Sequence, residues 1–172
     1  CLADHLMPND HHIRSVLFLC TGNSARSILA ECTLNRLGQG RFQAFSAGSQ
    51  PAGKVNPYAL ELLTGESYSI EGLRSKSWDE FSGPDAPSLE FIITVCGNAA
   101  DEACPVWHGH PAIAYWGVPD PAAVTGSPEE AREAFLSAYA KLKARIQLLI
   151  ALPLESLEPL AVKRRLEDIG CS

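Results

Sequence analysis

The run Phe91-Ile92-Ile93-Thr94-Val95 is apolar on both faces of any strand it forms. A strand buried on both sides belongs in the middle of a parallel sheet covered by helices, so this segment restricts the fold more than any other. A second short run, Val16-Leu17-Phe18-Leu19, reads as another strand, and a helical pattern follows from about residue 25 to 37. Glycines 38 and 40 before residues 42–47, with Gly48 and Pro51 after, bound a third strand, and residues 112–116 suit a fourth. Residues 57–64 read as helix, and Ser127-Pro128-Glu129-Glu130 starts a helix that runs to about residue 151, with Ser127 as cap and Pro128 in the first turn. Residues 65–87 hold turn formers and a short helix near 78–81. Strands alternating with helices predict an α/β fold: a three-layer αβα sandwich around a four-stranded, mainly parallel sheet. Such sheets bind ligands beyond the carboxyl ends of their strands, and Cys20 and Cys96 each follow a predicted strand directly.

At 172 residues and 46% hydrophobic, the chain supports one core, expected over residues 1–151. Residues 152–172, with Leu157, Leu160, Leu166 and Ile169 against Lys163, Arg164 and Arg165, read as a helical extension that either caps the core or docks a partner. The net charge of -6, with cations scattered, offers no basic stripe for nucleic acid or an anionic membrane. No apolar run reaches the roughly 20 residues of a membrane helix. The first 15 residues lack a signal peptide's basic start and apolar stretch, so a cytoplasmic protein is expected.

Six cysteines in a chain with its own core suggest redox or nucleophilic chemistry more than a disulfide framework. Cys20 and Arg26 bracket five residues between a strand and a helix. Amides of a loop over residues 21–27 (Thr21, Gly22, Asn23, Ser24, Ala25, Arg26, Ser27) would form an anion nest at the helix N-terminus, with Arg26 as a two-oxygen clamp. The same field favours a thiolate at Cys20. Gly22 allows close backbone approach, Asn23 suits a left-handed conformation, and Ser24 or Ser27 can donate to the sulfur. The plainer alternative is a buried strand-end cysteine and a surface arginine.

Cys96 and Cys104 have seven residues between them. In an intact helix they would stand about 12 Å apart, twice the span of a disulfide. Gly97, Asn98 and Pro105 make that helix weak, so the segment is suited to unwinding, carrying Cys96 to a modified Cys20 and then Cys104 to Cys96. The alternative is two unrelated buried cysteines. Cys32 reads as a core residue, and Cys171, near the end, as a thiol open to pairing between chains. His11 and His12 lack carboxylates or cysteines at ligand spacing, and His108 and His110, which flank Gly109 near Cys104, read as a solvated loop.

Cys20-Thr-Gly-Asn-Ser-Ala-Arg-Ser27 resembles the phosphate loop of the low-molecular-weight protein tyrosine phosphatase superfamily, and most of all its arsenate reductase branch. The likeness continues through Ser46-Ala47-Gly48, the Cys96 segment and Trp116-Gly117 ahead of Asp120-Pro121. It implies a phosphatase-like catalytic domain over residues 1–151 with Asp120 as general acid, although Asp120 also suits a turn before proline. Phosphatases of the family follow this pair with aromatic residues, where this chain has Ala122 and Ala123. The resemblance implies arsenate as substrate: Cys20 attacks it, Cys96 displaces arsenite, and Cys104 resolves the bond to a Cys96–Cys104 disulfide. An external thiol reductant, thioredoxin or glutathione with glutaredoxin, then restores the enzyme. The spacing of the two cysteines is one residue longer than in the best-known members. A phosphatase needing only Cys20, Arg26 and Asp120, and a thiol-based redox or oxyanion sensor, remain as the other readings. Some members hold potassium beside the loop. Here Asn23, Glu31 and Ser46 match that site, but Lys76 falls where an aspartate belongs, so no metal is expected to be required.

Overall fold

The computed structural model describes residues 13–95 and 111–171. Strand β1 (Arg14–Cys20) is the organising element, because Val16, Leu17, Phe18 and Leu19 are all at most 1% exposed. Each such side chain contributes about 1.5–3 kcal/mol relative to an exposed one. It pairs in parallel with β2 (Phe42–Gly48) on one side and β3 (Phe91–Thr94) on the other, and β3 pairs in parallel with β4 (Ala112–Tyr115). The order β2-β1-β3-β4 makes a four-stranded sheet that is parallel throughout, within an α/β fold.

The alternation of β1 divides the core. Val16, Phe18 and Cys20 join the larger cluster, with α1 (Arg26–Leu37), α2 (Pro57–Gly65), α3 (Pro128–Ala151) and α4 (Pro159–Gly170). Leu17 and Leu19 face the other way, where Ala47, Ile92 and Leu89 meet Trp78 and Phe81 of the short turn Trp78–Phe81. Within α4, Val162, Leu166 and Ile169 are buried in the larger cluster, whereas Leu160 is 78% exposed. No described helix is long and apolar enough to cross a membrane.

Helices α2 and α3 begin as their sequences dictate. Asn56 Oδ1 accepts from Tyr58 N (2.8 Å), Ser127 Oγ accepts from Glu130 N (3.2 Å), and each helix has proline in its first turn. Helix α1 begins differently. Its N-cap is Ala25, which has no side-chain acceptor, and no carboxylate lies in the first turn. A capping side chain is typically worth about 1 kcal/mol, and α1 does without one.

Candidate functional site

Cys20 ends β1 opposite Gly48 of β2, and its side chain is buried. The chain then crosses to α1 through a loop whose carbonyls are tied from outside. Thr21 O accepts from Gln50 N (2.9 Å), Gly22 O from Ala52 N (2.9 Å) and Ser75 Oγ (3.0 Å), and Ser24 O from Asn56 N (2.8 Å). Among the described residues, the N–H groups of Gly22, Asn23, Ser24 and Ala25 donate to no backbone carbonyl. With α1 uncapped, these amides and the helix dipole form a concentration of unused donors beside the Cys20 position.

Asn23 holds the loop's shape. It is fully buried with φ 45°, the left-handed region that asparagine tolerates. Its Nδ2 donates to Ser27 Oγ (2.8 Å), and its Oδ1 accepts from Lys76 N (2.8 Å). Gly48 is the loop's floor: a Cβ there would lie 3.0 Å from both Cβ and N of Asn23 and closer still to Thr21 O. No such crowding attends Gly22, where the nearest atom to an added Cβ is Ser24 Oγ at 3.7 Å.

Arg26 opens α1 and reaches across to the segment after β4. Its Nη1 donates to Val118 O (2.9 Å), and its Nη2 lies 3.6 Å from Asp120 Oδ2. Asp120 caps the turn Pro121–Ala123 by accepting from Ala122 N at Oδ1 (3.0 Å), while its other oxygen faces Arg26. The turn role and proximity to the loop therefore coexist in one carboxylate. Ala122 and Ala123 are exposed and put no ring beside it.

Behind the loop lies a partly buried cation–carboxylate pair. Ser46 Oγ donates to Glu31 Oε1 (2.6 Å), and Lys76 Nζ stands 3.3 Å from Ser46 Oγ, 3.2 Å from Arg74 O and 4.0 Å from Glu31 Oε1. Burial pushes the Glu31 carboxyl above its usual range, with Lys76 pulling it back. Burial likewise lowers the Lys76 ammonium, with Glu31 opposing. Cys32 is only half buried, yet desolvation and then the Glu31 charge push its thiol up to about 12.

The structure thus brings together two separate segments, residues 20–27, which include Arg26, and residues 118–120, which end in Asp120. Cys96, Cys104 and the four histidines named above lie outside the described residues. Sequence reasoning gave no site role to Ser75, to the Val118 carbonyl or to Gly48. Ser75 sits in an aperiodic stretch, a carbonyl has no sequence signature, and a glycine after a strand reads as punctuation.

A family model described as low molecular weight phosphotyrosine protein phosphatase matches residues 15–160. The chain belongs to this family. Among relatives, it is 33% identical over 132 residues to an arsenate reductase of Shouchella clausii, covering 77% of this chain and 91% of that one. It is 33% identical over 115 residues to an arsenate reductase of Bacillus subtilis, covering 67% and 79%. A solved arsenate reductase in its phosphate binding state superposes with a TM-score of 0.65 at 26% identity, covering 80% of this chain and 97% of that chain.

Proposed function

We propose that this protein reduces arsenate to arsenite by a cysteine relay. The Cys20 thiolate attacks arsenic(V) held by the amides of residues 21–27 and by Arg26, while Asp120 protonates the departing hydroxyl as water. Cys96 then attacks the Cys20 sulfur. The electron pair of the sulfur–arsenic bond leaves on arsenic, which departs as arsenite, and a Cys20–Cys96 disulfide remains. Cys104 attacks Cys96, freeing Cys20 and leaving a Cys96–Cys104 disulfide. Two thiols have supplied two electrons, and thioredoxin or glutathione with glutaredoxin restores them.

The observation that carries this reading is the uncapped start of α1 beneath a buried strand-end cysteine, with Arg26 bridging to Asp120. The similarity to arsenate reductases supports arsenate as substrate, and so do the alanines after Asp120, which offer a phenyl ring no wall. We assign to Lys76 the place of a monovalent cation, since its ammonium already lies against the bonded Ser46–Glu31 pair, 3.3 Å from Ser46 Oγ and 4.0 Å from Glu31 Oε1, and no metal is required.

The test is thiol-dependent arsenate reduction, run separately with thioredoxin and with glutaredoxin plus glutathione. Turnover should vanish in Cys96→Ser and in Cys104→Ser and persist in Cys32→Ser. Hydrolysis of an aryl phosphate at full rate in Cys96→Ser, with no arsenate reduction in the wild type, would identify a phosphatase instead.

A further inference from the structure

Arg145 stands out in α3. Buried residues of this helix fall on a stripe that includes Ala138, Leu142, Arg145 and Leu149, so a guanidinium occupies a position whose neighbours along the stripe are apolar. It is 5% exposed, and burial works against its charge. Packing alone is better served by leucine or methionine at such a position. The cation has a specific acceptor instead: its Nη1 donates to Gly117 O (3.1 Å).

That carbonyl belongs to a peptide plane held at both ends. The Gly117 oxygen takes the Arg145 bond, and the N–H of the same plane, on Val118, donates to Val95 O (3.0 Å). Val118 precedes Pro119, and a residue before proline is confined to extended backbone. A fixed plane followed by a restricted residue leaves the Val118 carbonyl little choice of direction. It points at Arg26 Nη1, and Asp120 follows two residues later.

Helix α4 closes the other side. Trp116 Nε1 donates to Leu166 O (2.8 Å), and Gly170 approaches the Tyr115 carbonyl too closely to admit a Cβ. Arg145, bonded to Gly117 O one residue after Trp116, therefore lies beside the contact between α4 and the segment after β4. Most of α4 lies beyond the stretch matched by the family model.

We propose that Arg145 is a positioning residue for the oxyanion site: by pinning the Gly117–Val118 peptide it aims the carbonyl that orients Arg26 and sets the distance to Asp120. The proposal rests on the reading of residues 20–27 as an oxyanion cradle. It predicts that Arg145 acts on anion affinity and turnover without touching substrate.

The experiment uses the full chain and inorganic phosphate as probe, reading phosphate protection of Cys20 from iodoacetamide by peptide mass, with thermal unfolding alongside. In Arg145→Met the half-protecting phosphate concentration should rise roughly tenfold, as expected when a binding group is displaced by a fraction of an ångström. Arg145→Lys, which keeps one donor for Gly117 O, should fall between. A merely structural arginine would lower the melting temperature and leave the phosphate constant of the folded protein unchanged, and that result overturns the proposal. If Arg145→Met does not fold, Arg145→Lys decides: threefold weakening or more supports it, and a wild-type constant overturns it. Absence of phosphate protection in the wild type would instead sink the cradle reading itself.

Discussion

Cys20 and Cys32 lie twelve residues apart in one strand–loop–helix unit and live in opposite electrostatic worlds. Cys20 meets the N-terminus of α1, where Arg26 and amides that find no backbone acceptor among the described residues concentrate positive potential. Cys32 sits inside the same helix, where backbone donors are consumed and its neighbour Glu31 is a carboxylate, and its thiol is pushed up to about 12. Burial is the first cause of the raised Cys32 thiol and the Glu31 charge the second. Cys20 is the more buried of the two, so on our reading the helix N-terminus and Arg26 must offset its desolvation.

The sharpest way to break this contrast is to deform the loop while leaving both sulfurs in place. Gly48→Ala would drive a Cβ against Thr21 O and Asn23, and we expect arsenate reduction to fall about 100-fold with Cys32 alkylation unchanged. Next comes Arg26→Lys. An ammonium cannot supply a planar two-oxygen fork, so phosphate or arsenate affinity should drop about 10- to 100-fold by calorimetry or competition. Near-normal affinity would mean that the amides bind the anion alone.

Lys76→Met probes the support behind the loop. It leaves Glu31 buried without its cation, so we expect a loss of about 1–3 kcal/mol at neutral pH in denaturant unfolding. The sign with pH follows from the raised Glu31 carboxyl. Between its unfolded value near 4.5 and its higher folded value the native state holds more protons, so stability falls as pH rises through that window. Removing Lys76 raises the folded value further. The gap between variant and wild type should therefore shrink as pH is lowered toward 4.5 and be largest above the folded value. A gap independent of pH would show that Lys76 acts through packing alone. The smallest effect belongs to Cys32→Ser, with activity unchanged and a stability loss of no more than about 1 kcal/mol, since a half-buried thiol with so high a pKa takes no part in exchange.

Much of this arrangement was legible before any coordinates. Continuous apolar runs located β1 and β3, the Ser127-Pro128 pair located the start of α3, and Cys20-x5-Arg26 located the loop. Gly48 was visible as a residue and not as a contact, because close backbone approach is a property of two segments at once. Ser75 and Lys76 lie in a stretch without periodicity, and only the resemblance drew attention to the lysine. Arg145 did have a signal, since spacings of three and four from Leu142 and Leu149 place it on the apolar stripe, but among Lys141 and Lys143 it reads as another solvated cation.

The most direct test is the ionisation of Cys20, followed as its iodoacetamide reaction rate against pH, with each modified peptide resolved by mass. A thiolate stabilised by amide dipoles and a guanidinium should titrate below about 7, with Cys32 inert across the range. A Cys20 that remains protonated to about 8.5, the value of a free thiol, would contradict the account at its root.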